Sequence, residues 1–137
     1  AGGAFVVQRH GTVYMTYSGS AVGPTYVTGL ATAPVGADLT DPAAWTRYGY
    51  PVLKTDRSID QWGPGHNSFT HDEDGNLVLV YHAKTDPRSP ERHTGLRRVH
   101  WAADGMPILD MRPEEELAPG LRRVRTTVTV EAGPAGR

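Results

Sequence analysis

Short β-prone segments joined by glycine turns recur along this chain, and this repetition constrains its fold more than any other feature. The dipeptides His10-Gly11, Asp74-Gly75 and Asp104-Gly105 each lie between two runs rich in apolar, β-branched or aromatic residues. An Asp-Gly pair in that setting is among the strongest short-range signals for a β-hairpin. No long helical periodicity is present, and the content of 16 Gly and 11 Pro agrees with a turn-rich, all-β protein.

The first repeated unit is predicted to contain four strands, with a polar connection before the last one. Asp41 and Pro42 in that connection predict a short helical turn, with Asp41 as its N-cap and Pro42 at the first helical position. The predicted strands are Ala4–Arg9, Thr12–Ser18, Thr25–Thr32 and a short one near Tyr50–Leu53.

The second unit repeats this order after a loop, at a period of roughly 60 residues, which is typical of propeller blades. Its predicted strands are Asn67–His71, Asn76–Ala83, Arg97–Ala102 and Met106–Asp110. A β-sandwich is the rival architecture, but the long polar loops and the repetition favour two four-stranded antiparallel blades. We therefore predict one partial propeller domain over 1–137, with blades at about 4–53 and 67–110 and an extra strand at 121–131.

Composition excludes several classes of function. The formal net charge of −1 offers no basic surface for nucleic acid or for an anionic membrane. The chain has no cysteine, which rules out disulfides, thiolate metal sites and a cysteine nucleophile. No apolar run approaches the roughly 20 residues of a membrane span, and no signal-peptide pattern opens the chain. These features do not distinguish a secreted from a cytoplasmic location.

The stretch Gly63–Phe69 (Gly-Pro-Gly-His-Asn-Ser-Phe) is the main candidate for function. Its two glycines and one proline predict a tight, rigid backbone path. That path would deliver the imidazole of His66 and the carboxamide of Asn67 to one fixed place at the start of a strand, beside Trp62. A bulged turn with an incidental surface histidine is the alternative interpretation.

Six motifs in order carry a resemblance to a known family. They are Thr16–Ala21 (TYSGSA), Tyr26–Leu30 (YVTGL), Asp38–Trp45 (DLTDPAAW), Gly63–Phe69 (GPGHNSF), Val80–Ala83 (VYHA) and Arg92–Thr94 (RHT). Together they resemble the C-terminal part of the family 43 glycoside hydrolases, the arabinofuranosidase and β-xylosidase group, over roughly Ala4–Pro107. The resemblance implies a five-bladed β-propeller, of which this chain would form the last two blades.

The resemblance also implies an inverting hydrolase that acts on arabinan or xylan side chains of plant cell walls. Such an enzyme uses an Asp base, an Asp that orients the acid, and a Glu acid, with room for a water between acid and base. The family's Glu position falls at or next to Gly2, and its two Asp residues belong to earlier blades. We therefore expect no catalytic residue here and no activity from the isolated chain.

Four residues match binding positions by the same resemblance or by their place beside it. His66 corresponds to the histidine at the propeller axis, which faces a metal ion, often calcium, commonly through water. Arg92 corresponds to an arginine of the sugar pocket, and His93 is a weaker candidate beside it. Trp62 is expected to offer a ring to the ligand. The implied partners are an arabinose- or xylose-containing glycan and either a second copy of the chain or a complementary N-terminal fragment.

Other interpretations stay open at this point. The chain could be a non-catalytic, propeller-derived domain that binds carbohydrate or protein. His66, His82 and His93 could converge on zinc, although their spacing is not that of a zinc motif. The run Asp72–Asn76 partly mimics a calcium loop but lacks the distal Glu, so a hairpin turn is expected there instead.

Overall fold

The first sheet is four-stranded and antiparallel. The computed structural model describes residues 2–134, and this sheet has the order β1-β2-β3-β4. The turn between its first two strands has positive φ at both His10 (47°) and Gly11 (81°), as a two-residue turn matching the strand twist requires. Its strands are β1 (Gly2–Arg9), β2 (Thr12–Gly19), β3 (Val27–Pro34) and β4 (Thr46–Arg47).

The second sheet has three antiparallel strands in the order β5-β6-β7, and a separate two-stranded sheet follows it. The Asp72 carboxylate accepts hydrogen bonds from the backbone N–H groups of Asp74 (3.0 Å) and Asn76 (2.8 Å), which fixes the hairpin between β5 and β6. The strands are β5 (Trp62–His71), β6 (Leu77–Lys84), β7 (His93–Arg98), β8 (His100–Trp101) and β9 (Pro107–Ile108).

The all-β, antiparallel prediction is confirmed, and so is the short helical turn. Pro42–Ala44 form a 3₁₀ turn, and the Asp41 carboxylate accepts from the Ala43 N–H at 2.9 Å. The fourth strand of the first unit lies at Thr46–Arg47 instead of near Tyr50–Leu53. The second unit differs more, because its last predicted strand pairs only with His100–Trp101 and not with the three-stranded sheet.

The predicted strand at 121–131 is not formed. Pro119–Arg122 form a 3₁₀ turn, and residues 123–134 have no strand. The physical reason is the guanidinium of Arg98, which donates to the carbonyl oxygens of Leu121 and Arg123. Those carbonyls are thus satisfied by a side chain instead of by a neighbouring strand.

The apolar core lies on the face of the second sheet that meets the first. It consists of Leu53, Leu79, Tyr81, Val99 and Leu109, with Phe69 and Trp101 packed against it. Leu53 comes from the connection between the sheets and also pairs with Thr28 of β3 through an isolated bridge. The first strands of the two sheets are neighbours, since the rings of Phe5 in β1 and Phe69 in β5 are 5.7 Å apart. Among the described residues, no helix is both long and apolar enough to cross a bilayer.

Candidate functional site

The Gly63–Phe69 stretch is part of strand β5 and not a loop before it, so that detail of the prediction is wrong. Two irregularities interrupt its pairing with β6, one between Trp62 and Gly65 and one between Gly65 and Ser68. Each irregularity contains one residue with a positive φ, which is 54° at Gly63 and 45° at His66. Bulges of this kind bend a strand and redirect a side chain, and here the redirected side chain is that of His66.

Gly63 is required at its position for two reasons. Its φ of +54° is one that residues with a Cβ rarely adopt. A Cβ there would also lie 2.2 Å from the carbonyl oxygen of Gly23, in the loop between β2 and β3. The bulge therefore depends on the close approach of two backbones.

Gly65 is required because an aromatic ring lies directly against its backbone. A Cβ on Gly65 would come within 2.5 Å of Cε1 of Tyr26 and 3.1 Å of the Ser18 hydroxyl. The other neighbour of the Tyr26 ring is His82, whose ring is nearly parallel to it, with centroids 5.7 Å apart and 19° between the planes. Tyr26 thus fills the space between the bulged strand and His82.

The backbone of His66 is held by two other strands while its residue surface stays exposed. Its N–H donates to Oγ of Ser18 in β2 at 2.7 Å, and Ser18 is only 1% exposed. Gly3 of β1 lies against the imidazole, since a Cβ at Gly3 would be 3.1 Å from Cγ of His66. The ring is therefore presented to solvent from a fixed and locally strained backbone.

A layer of buried polar side chains lies beneath this backbone. Nδ2 of Asn67 donates to Oγ1 of Thr16, whose own hydroxyl donates weakly to the Phe5 carbonyl at 3.4 Å. Within residues 2–134, Oδ1 of Asn67 and Oγ1 of Thr28 are buried without a hydrogen-bond partner. Buried groups of this kind are usually satisfied, so the layer is an energetically sensitive part of the site.

Several positive charges act on His82, the β6 residue that pairs with Gly65. Burial lowers the pKa of His82 from its ordinary value, and the charges of Arg92, His66 and Lys84 lower it further. Arg92, His66 and Lys84 are therefore near enough to His82 for their charges to act on it. His82 is neutral at pH 7, where it can donate one hydrogen bond and accept one.

The remaining candidates, Trp62 and His93, pair with Lys84 and Ala83 of β6, next to His82. Trp62 is half-buried at the start of β5, and the guanidinium of Arg57 lies 5.4 Å from the centre of its ring. His93 is exposed at the first position of β7. Among the described residues, no hydrogen bond, ion pair or ring contact joins either of them to His66.

The residues present do not by themselves fit a metal ion. Between residues 2 and 134, no group of three or more His, Asp or Glu side chains is placed to hold one. Calcium takes six to eight oxygen ligands, whereas His66 offers a single nitrogen. Neither a calcium site nor a zinc site through His66, His82 and His93 is complete in this part of the chain.

Sequence reasoning missed Ser18 and Tyr26, which hold the bulged strand. One signal for Ser18 was available, because Thr16 and Ser18 occupy alternate positions of one strand and so point to the same, buried face. Inward hydroxyls need partners, and the nearest donors are on the bulged strand. No comparable signal identifies Tyr26, because its ring can approach β5 only where Gly63 and Gly65 have no side chain.

The family model for the glycosyl hydrolases family 43 matches residues 1–107 of the chain. The chain belongs to this family. Among curated relatives, an extracellular exo-α-(1→5)-L-arabinofuranosidase of Streptomyces avermitilis is 45% identical over 113 residues. An α-L-arabinofuranosidase of Humicola insolens is 41% identical over 113 residues. Each match covers 77% of this chain but only 24% of the relative, so the chain spans about a quarter of each.

Solved structures of family 43 agree with this assignment. The crystal structure of an α-L-arabinofuranosidase from Lactobacillus brevis superposes with a TM-score of 0.74 at 39% identity, over 77% of this chain and 35% of that one. A thermostable family 43 glycoside hydrolase gives a TM-score of 0.68 at 30% identity, over 98% of this chain and 38% of the other. The two sheets described above are thus a family 43 arrangement.

Proposed function

We propose that this chain is part of an α-L-arabinofuranosidase and contributes one wall of its sugar pocket. The supporting observation is the fixed presentation of His66, whose strained backbone is bonded to Ser18. The curated relatives above, at 41–45% identity, are named as arabinofuranosidases. Arabinose-containing side chains of plant polysaccharides are the proposed substrate, with xylose as the nearest alternative.

In this proposal Arg92 binds the substrate through its planar guanidinium, which can make paired hydrogen bonds to sugar hydroxyls or to a carboxylate. Trp62 and His93 border the same pocket from β5 and β7. Inversion of configuration needs a general acid and a general base far enough apart to admit a water. We propose that these carboxylates come from outside the chain, because Gly2 occupies the acid's position in the resemblance.

A chimera tests this proposal directly. Residues 1–107 would replace the matching segment of the Streptomyces avermitilis relative, with either Gly2 or the Gly2→Glu substitution. We expect hydrolysis of a chromogenic α-L-arabinofuranoside to be at least about 10²-fold faster with Gly2→Glu, since a positioned general acid contributes about 10²–10⁴-fold. Ala4→Glu is the matched control, because it adds the same carboxyl two residues away and should leave the rate low.

Two results of this experiment would count against the proposal. Hydrolysis by the purified 137-residue chain alone would mean that the acid and base lie within it. A chimera that folds but is equally slow with Gly2, Gly2→Glu and Ala4→Glu would mean that this segment does not form the sugar pocket.

A non-catalytic domain that binds carbohydrate is the second candidate, and the exposed Arg92 also favours it. The two candidates differ in that only the enzyme would hydrolyse an arabinofuranoside. If the chain binds an arabino-oligosaccharide in calorimetry, if Arg92→Gln weakens that binding, and if no chimera hydrolyses the substrate, the binding function is supported over the enzyme.

We further propose that His66 faces an axial cation through water when ligands from outside the chain are present. Its exposed imidazole on a fixed backbone supports this role. Calcium is the proposed ion, since its remaining ligands would be oxygens. Calcium should protect the active chimera against heat but should leave the unfolding temperature of the isolated chain unchanged.

The partner proposed from the resemblance, a second copy or a complementary fragment, has a candidate contact surface. Met15, Tyr17 and Trp45 line an apolar depression of about 520 Å³ on the face of the first sheet. Apolar side chains gathered in one open depression favour contact with another polypeptide. Light scattering at micromolar concentration should give a mass above 14.9 kDa, and Tyr17→Lys should return it to the monomer.

A further inference from the structure

A second concave site lies along β1 and β5, towards the ends of these strands that are remote from His66. Gly3 lies against His66 in the middle of β5, whereas Arg9 and His71 are the last residues of β1 and β5. The groove there has a volume of about 520 Å³, within the range of small-molecule pockets. It is open along β1, which is an edge strand of the first sheet among the described residues.

The walls of this groove are apolar and largely aromatic. Phe5 and Phe69 face each other from the two sheets, with their ring centroids 5.7 Å apart and 50° between their planes. Trp101, Leu77, Val6 and Val7 add to the apolar lining, and Phe5 is 36% exposed. A flat, apolar body could therefore lie against rings contributed by both sheets.

A guanidinium without an acceptor lies beside these rings. Cζ of Arg9 is 4.4 Å from the centre of the Trp101 ring, a distance typical of a cation–π contact. Within residues 2–134, the Arg9 side chain makes no hydrogen bond and no ion pair. Its five N–H donors are thus available to a ligand.

The Trp101 ring that Arg9 contacts is itself held in place. The Trp101 ring meets Tyr14 edge to face at 5.1 Å, and the Tyr14 hydroxyl donates to the Gly105 carbonyl at 2.7 Å. The only other polar side chains in the lining are Gln8 and His71, and no carboxylate lines the groove. The site therefore combines a preorganised cation, apolar walls and few acceptors.

We propose that this groove binds a small aromatic carboxylate. The ring of the ligand would lie against Phe5, Phe69 and Leu77, and its carboxylate would accept paired hydrogen bonds from Arg9. A neutral sugar fits less well because it needs acceptors as well as donors, and a phosphate fits less well because most of the lining is apolar. The site is separate from the proposed sugar pocket and does not depend on it.

The test is a titration of the ¹⁵N-labelled 137-residue chain with cinnamate, followed by NMR, with cinnamamide as the neutral probe of the same shape. We expect saturable shifts at Phe5, Arg9, His71 and the indole of Trp101, and binding of cinnamamide about tenfold weaker, since a hydrogen bond to a charged group contributes that much. L-Arabinose should not shift these resonances.

Variants separate the two parts of the site. Arg9→Gln should weaken cinnamate about tenfold and leave cinnamamide unchanged, whereas Phe5→Ala should weaken both. Arg88→Gln removes the same charge from an exposed loop and should have no effect. Equal binding of cinnamate and cinnamamide, shifts elsewhere in the chain, or an unchanged cinnamate affinity in folded Arg9→Gln would overturn the proposal. Arabinose binding at the groove would assign it to saccharides instead.

Discussion

The backbone N–H of His66 donates to the hydroxyl of Ser18 at 2.7 Å, across 48 residues of sequence. This one bond joins the first sheet to the bulged strand of the second, because Ser18 belongs to β2 and His66 to β5. It also holds His66 at a φ of 45°, which residues with a Cβ rarely adopt. The orientation of the candidate site residue is therefore determined by a hydroxyl on another sheet.

Ser18→Ala should lower the free energy of unfolding by about 1–3 kcal/mol, because it leaves a backbone donor without its buried acceptor. Urea unfolding measures this loss, and hydrogen exchange of the His66 amide should accelerate. Ser20→Ala is the control, since its hydroxyl bonds to Thr25 at an exposed position. Equal and small effects of the two substitutions would mean that the bond does not hold the bulge.

Gly63→Ala should destabilise the chain by about 2 kcal/mol or more, because strain at positive φ and a backbone clash act together. The added Cβ would meet the Gly23 carbonyl oxygen at 2.2 Å. Gly49→Ala provides the comparison, since its Cβ would meet no atom within 4 Å and its φ is unstrained. Thermal unfolding of both variants checks the difference, and matched unfolding temperatures would contradict the close approach.

Asp72 should make the chain sensitive to acid. Burial alone would raise the pKa of this carboxyl, but hydrogen bonds from Arg98, Asn76 and Asp74 outweigh it and lower the pKa to about 2. A lowered carboxyl pKa stabilises the folded state above the unfolded value of 3.8 and loses that effect as the pH falls towards 2. Unfolding between pH 5 and about 2 should show this loss.

Asp72→Asn should remove that part of the pH dependence and should also lower stability at pH 7. The guanidinium of Arg98, 2.7 Å from Asp72, would keep its charge in a site where the side chain is 6% exposed. Asp74→Asn, in the same turn but exposed, should change neither. An acid transition that is unaltered in the Asp72 variant would refute the assignment.

His82 should contribute a second pH dependence at a higher pH. Because its folded pKa lies below the ordinary value of 6.5, the unfolded chain binds the proton more tightly. Stability should therefore fall as the pH drops through 6.5 towards the lowered value. His82→Phe keeps a ring against Tyr26 and should flatten the curve between pH 7.5 and 5, whereas His93→Phe at an exposed position should not.

Local chemistry predicted some of this molecule, and long-range contacts determined the rest. The hairpins at His10-Gly11 and Asp74-Gly75 follow from turn residues, and the Pro42–Ala44 turn follows from its capping Asp41. The alternating residues of 121–131 predicted a strand, but Arg98 takes the carbonyls that such a strand would use.

The candidate site shows the same division. His66, Arg92, His93 and Trp62 were predicted as binding residues and remain a prediction, while a hydrogen bond between β2 and β5 decides how His66 is held. Tyr26 could not be found from pattern alone, because its contact depends on a bulge and on the absence of a side chain at Gly65. A residue whose contacts lie on another sheet is hard to recognise from the sequence pattern of its own strand.

Leu53 has a consequence for how the chain unfolds. Its side chain belongs to the core of the second sheet, yet its carbonyl accepts the N–H of Thr28 in β3 at 2.9 Å, and the N–H of Val52 returns a bond to Thr28 at 2.8 Å. Neither sheet can open without breaking contacts of the other, so the two should melt in one cooperative transition. Trp45, beside the first sheet, and Trp62, in β5 of the second, would then report the same midpoint, and neither sheet could be transplanted into another protein without the other.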